Sequence, residues 1–170
     1  MLIVADGQDV RDLLPSSDDR IRLLHVEGNS SIGEKRNFGC QQSAGSVIIH
    51  FDDDDHSADG RVSDQVERLM ETGKAVTGYH RLRFTDGTHW WQFSGALDRA
   101  LGTSLCYRKA WWEHSRFLSL NVGEDNIFAF NASCAGQLST ADAQDLMYAT
   151  IHPGNTSPRA LTGSDWSLLS

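Results

Sequence analysis

The sequence predicts a single α/β domain with a mainly parallel sheet flanked by helices. Three observations carry that prediction. Short β-branched apolar runs alternate with helical stretches, the clearest run ends in four consecutive aspartates, and 170 residues suit one hydrophobic core. Apolar residues at 39% and charged residues at 22%, with 15 Gly and 3 Pro, exclude disordered, collagen-like and coiled-coil chains. A net charge of -8 repels a phosphate backbone, so no nucleic-acid partner is expected.

The first strand is read at residues 2–5, an apolar run stopped by Asp6 and Gly7. A second strand follows at 21–26, then a turn at 28–31 and a helix from about 33 to 44, ended by Gly45. Residues 46–51 (Ser-Val-Ile-Ile-His-Phe) form the clearest strand. Residues 59–72 read as an amphipathic helix, with Val62, Val66, Leu69 and Met70 on one stripe and Asp59 as its cap. Alternation over 75–84, the turn at Asp86 and Gly87, and residues 89–93 predict an antiparallel hairpin. A strand near 105–107, helices from about 109 and from 124 to 135, and a last strand at 147–152 complete the domain.

Cys40, Cys106 and Cys134 lie far apart and form no C-x-x-C pair, which predicts reduced thiols in a cytoplasmic chain. No apolar run is long enough to cross a bilayer, so any membrane contact is expected to be peripheral, at the inner face.

Asp52, Asp53, Asp54 and Asp55 stand at the carboxyl end of the clearest strand, where ligands bind in open α/β sheets. If strand geometry persists, Asp52 and Asp54 project to one side and Asp53 and Asp55 to the other. Paired carboxylates without sulfur neighbours suit Mg2+ or Mn2+, the more so with a diphosphate completing the shell. On its own, the run reads equally as a solvated loop.

Around it stand Gly33, Lys35, Arg36 and Asn37 on a helix, then Ala44 and Gly45, the apolar strand and the aspartates. This order resembles the central stretch of family 2 glycosyltransferases of the GT-A fold, with their DxD motif. Val4 to Gly7 resembles the family's Asp-Asp-Gly turn, and Gly102 to Arg108 its acceptor-side strand. Asn121 to Asp125 resembles its Glu-Asp motif, and His152 to Ser157 a carboxyl-terminal segment of many members. Five such matches in order cover residues 2–157.

The resemblance implies an inverting glycosyltransferase that moves a sugar from a nucleotide-diphospho-sugar donor to a hydroxyl of a saccharide or glycolipid acceptor. It implies that Asp6 meets the nucleotide base, that Lys35 and Arg36 meet phosphate or base, and that Asp52 and Asp53 line the donor pocket. Asp54 would hold Mn2+ or Mg2+ on the diphosphate, with His152 reaching the metal, and Asp125 would be the general base. Trp91 and Glu124 are expected on the acceptor side. Read without the family, Asp6 and Gly7 make an ordinary turn, and Glu124 and Asp125 suit the first turn of a helix. Members usually begin with one more strand and helix, so the sheet is expected to be incomplete at its amino-terminal side. An open strand edge there would pair with another copy of the chain. The alternative function is a non-catalytic nucleotide-sugar or carbohydrate binding module, or an assembly partner, derived from such an enzyme.

Overall fold

The chain folds around one long strand that serves two half-sheets. The computed structural model describes residues 1–7, 10–14, 18–26, 28–157 and 160–169. Its elements are β1 (Leu2–Asp6), β2 (Arg22–Val26), α1 (Ile32–Gln42), β3 (Val47–Ile49), β4 (His56–Ser57), α2 (Arg61–Thr72), β5 (Val76–Thr85) and β6 (Trp90–Ser94). They continue with β7 (Cys106–Arg108), α3 (Lys109–His114), α4 (Glu124–Cys134), β8 (Leu138–Asp142), β9 (Met147–Thr150) and β10 (Trp166–Leu169).

Strand β5 is the spine. Its first half pairs with β7 on one edge and β8 on the other, and its second half pairs with β6 and β9. The register shifts between Tyr79 and Arg81, and this bulge divides the halves. Each half has its own core. Tyr107, Trp112, Phe117 and Phe128 pack with Val76 and Leu105 beside the first. Leu82, Phe84, Met147 and Ala149 pack under the second. The eight-stranded sheet is mixed: β8 and β9 run parallel to β5, whereas β6, β7 and β10 join by antiparallel pairing. Antiparallel pairs therefore outnumber parallel ones, against the mainly parallel sheet expected, because a hairpin and returning strands take the places that crossover helices would otherwise serve.

Strands β1 and β2 pair parallel as a separate two-stranded sheet. Among the described residues, β1 pairs only with β2 and β3 only with β7. Helix α1 spans the separation: a Cβ on Gly39 would lie 3.2 Å from Val4, while Arg36 reaches Asp52 just beyond β3. Each of β1 and β3 therefore has one edge without a strand partner among the described residues.

Two details of α2 depart from the sequence reading. Its N-cap is Gly60, with no side-chain cap from Asp59. Its buried side is Arg61, Gln65 and Leu69, while Val62 and Met70 are exposed. An arginine takes the inner position because its guanidinium finds enough acceptors there to offset burial. Strands β8 and β10 were not read from sequence; Leu138–Asp142 is short and polar, and Trp166–Leu169 is an edge strand with three exposed residues.

Candidate functional site

The site is built at the carboxyl ends of β1 and β3, where α1 begins. A capping box starts α1: the Ser31 hydroxyl accepts from Glu34 N while Glu34 accepts from Ser31 N. Gly33 is obligatory, because a Cβ there would lie 1.8 Å from the Leu118 carbonyl oxygen. Asn37 clamps the helix from inside: its Oδ1 accepts from Trp112 Nε1 and Phe117 N, and its Nδ2 donates to Phe117 O. That leaves Lys35 and Arg36 turned toward the sheet ends. Lys35 Nζ donates to Asp6 Oδ2 at 3.0 Å. Arg36 lies 3.2 Å from Glu124 and 3.8 Å from Asp52.

Asp52 to Asp55 form a turn, with Asp55 N donating to Asp52 O, so the alternating projection expected of a strand does not persist. Each aspartate goes its own way. Asp52 faces Arg36. Asp53 is exposed. Asp54 Oδ2 sits 2.9 Å from His152 Nε2 and 3.0 Å from Asn155 Nδ2. Asp55 turns inward, accepting from the Thr103 hydroxyl and, at 3.0 Å, from Thr150 N. Burial raises the Asp55 pKa, opposed by those two bonds.

Beneath the turn lies Arg61, fully buried. Its guanidinium donates to His50 O, Thr103 O, Ser57 Oγ and Gln65 Oε1, and stacks 4.5 Å from the Phe51 ring centroid. One side chain thereby ties the end of β3, the start of α2 and the 102–104 turn into one block.

The second carboxylate station begins α4. Gly123, at φ 86°, precedes the helix, and Asp125 lies across Gly102: a Cβ on that glycine would fall 1.6 Å from Asp125 Oδ2. Gly102 adjoins Thr103, so Asp55 and Asp125 are held by neighbouring residues of one turn. Glu124 is buried, and desolvation, with the nearby Asp125 charge, raises its pKa against the pull of Arg36. Arg36 Nε faces Glu124 in that ion pair, and the buried Nη1 has no hydrogen-bond partner among the described residues.

The structure therefore brings Asp6, Lys35, Arg36, Asp52, Glu124 and Asp125 to one rim and joins Asp54 to His152. Trp91 is elsewhere: it packs against the core under the second half of β5, whereas its neighbour Trp90 is exposed. Alternation along β6 turns Trp91, expected on the acceptor side, toward the core and Trp90 outward. Sequence reasoning gave no role to Arg61, Thr103, Gly102 and Asn155. Gly102, Thr103 and Asn155 lie within segments that carry the family resemblance, whereas Arg61 had no such signal. Among the described residues, no group of three or more His, Cys, Asp or Glu is arranged to hold a metal.

A mixed sheet flanked by helices, with an aspartate turn at the end of its apolar strand and a facing carboxylate on a helix start, defines the GT-A class of fold. The chain belongs to glycosyl transferase family 2, whose pattern matches residues 2–144. Solved structures agree on the fold. S. aureus TarS 1–349 in complex with UDP-GlcNAc superimposes with a TM-score of 0.69 at 19% identity, covering 91% of this chain and 50% of that one. The same protein with UDP gives 0.67 at 19%, over 89% and 51%. S. aureus TarS gives 0.65 at 18%, over 89% and 31%. The chain thus spans about half, or less, of these structures' length. No curated protein matches it.

Proposed function

We propose that this chain is a metal-dependent, inverting glycosyltransferase domain that moves a sugar from a nucleotide-diphospho-sugar to a hydroxyl of a saccharide or glycolipid. The observation that carries the reading is the cation at the rim: the Arg36 guanidinium lies between Asp52 and Glu124, and its buried Nη1 has no hydrogen-bond partner among the described residues. A diphosphate would offer that donor an acceptor. Lys35 adds a second positive charge beside Asp6.

In this reading Asp125 removes the proton from the acceptor hydroxyl as its oxygen attacks the anomeric carbon. The carbon–oxygen bond to the diphosphate breaks on the opposite face, the electron pair leaves with the diphosphate, and the configuration inverts. Arg36 and Lys35 stabilise the charge gathering on the leaving group. Asp54 and His152 would hold Mn2+ or Mg2+, which supplies further neutralisation of the diphosphate. Asp54 and His152 lie 2.9 Å apart, and two protein ligands suit a cation whose shell is completed by substrate oxygens.

The relative in complex with UDP-GlcNAc supports a uridine nucleotide as the first donor to try. Titration calorimetry with UDP, with and without MnCl2, tests the reading; binding indifferent to both the metal and Asp54→Ala contradicts it. Among the described residues no helix is long and apolar enough to cross a membrane, so a glycolipid acceptor would be met at the surface. The open edges of β1 and β3 support pairing with a second copy, which light scattering would register as a dimer.

A further inference from the structure

On the face of the sheet opposite the second core, pairing register sets five side chains in a row across β4, β9, β5, β6 and β10. His56 is opposite Tyr148, Tyr148 opposite Arg83, Arg83 opposite Gln92, and Gln92 opposite Ser167. Side chains directly opposite one another share a face, so the row is continuous and about 19 Å long at the usual interstrand spacing. Beside it, Trp90 is 38% exposed and sets its ring edge-on to Tyr148, with centroids 5.0 Å apart. The His56 and Tyr148 rings stack at 4.5 Å and 15°. Arg83 is held in place by the Gln144 carbonyl oxygen and Asp145. From Arg83, at its middle, the row adjoins a shallow cleft of about 390 Å3 lined also by Thr88, His89, Trp90, Leu168 and Leu169.

One end of the row meets the acidic turn. His56 follows Asp55 in the chain, and β9, which carries Tyr148, donates Thr150 N to Asp55 before reaching His152 at Asp54. We propose that this strip binds the acceptor as an extended neutral oligosaccharide, with its reacting end at Asp125 and several sugar units laid over Tyr148 and Trp90 toward the cleft. Rings stack on the apolar faces of sugars, and Arg83 and Gln92 between them supply donors to hydroxyls. Arg83 is neutralised by Asp145, and the Asp86 carboxylate stands beside the strip at the hairpin turn, which favours a neutral chain over a polyanion.

The proposal rests on the glycosyl-transfer reading but is measured apart from it, in the absence of donor. Cellohexaose, maltohexaose and chitohexaose are titrated into the protein and followed by tryptophan fluorescence and calorimetry, beside the matching disaccharides. At least one hexasaccharide is expected to bind about tenfold more tightly than its disaccharide. Trp90→Ala, and Tyr148→Leu, which keeps bulk but removes the ring, are each expected to weaken that binding about tenfold or more. Neither is expected to change UDP binding or the thermal midpoint by much. No binding by any hexasaccharide at millimolar concentration overturns the proposal, as does binding unchanged in both variants. Donor binding without saccharide binding removes this strip and leaves the transfer reading. Saccharide binding without donor binding does the reverse.

Discussion

At the scale of single residues, the arrangement turns on contacts that permit no substitute. Gly102 lets the Asp125 carboxylate lie where a methyl group would be, so Gly102→Ala must move one of the two. It is expected to cost about 1–3 kcal/mol in urea unfolding and to lower transfer activity as strongly as loss of the base. Asp125→Asn keeps the shape and removes the proton acceptor, so turnover should fall about 10²- to 10⁴-fold with UDP affinity unchanged; equal turnover would remove Asp125 from the role. Glu124 offers a test by pH. Its carboxyl titrates above its unfolded value of 4.5, so the folded state holds that proton more tightly than the unfolded one. The resulting contribution to stability is fully present below 4.5 and is lost as pH rises through the folded value. Denaturant unfolding should therefore show Glu124→Gln gaining on the native protein between pH 4 and pH 7; a constant difference across that range would contradict the burial assigned to Glu124.

Among the elements, helix α2 is the instructive case. An apolar stripe of Val62, Val66, Leu69 and Met70 is visible in the sequence, yet of these only Leu69 is buried, and the helix buries Arg61 and Gln65 beside it. Sequence periodicity ranks residues by apolarity, and nothing local indicates that four acceptors, from His50 just after β3, Ser57 of β4, the 102–104 turn and α2 itself, converge on one guanidinium. Arg61→Leu leaves those carbonyls without their donor and should cost about 3 kcal/mol or more, read from the shift in denaturation midpoint. Its effect should spread to metal-dependent UDP binding, because the released backbone of His50 leads directly into Asp52. Elsewhere local signals sufficed. The capping residues before α1, the aspartate-glycine turn of the β5–β6 hairpin and the β-branched run of β3 each act through near neighbours, and each stands close to its expected place. Polar strand β8 and edge strand β10 gain their pairing from distant partners and left no comparable pattern.

Across the whole molecule, the separation of β1 and β2 from the main sheet has a dynamic consequence. A two-stranded sheet is marginal by itself, and here the described contacts that hold it run chiefly through α1. Amide hydrogen exchange should show β1 and β2 opening well before β5, which is paired on both edges along most of its length. Equal protection in β1 and β5 would mean that the open edges are closed in solution. Asp6, to which Lys35 of α1 donates, ends that looser sheet, while Asp54 and Asp55 lie in the turn after β3 and Asp125 begins α4. Binding of a nucleotide across these elements would then tighten β1 as well. The central claim is that a divalent cation and a diphosphate bind between Asp54, His152 and Arg36. Calorimetric titration of UDP in the presence and absence of MnCl2 tests it most directly: saturable binding that requires manganese and disappears in Asp54→Ala is the predicted result, and no binding, or binding indifferent to both changes, would contradict it.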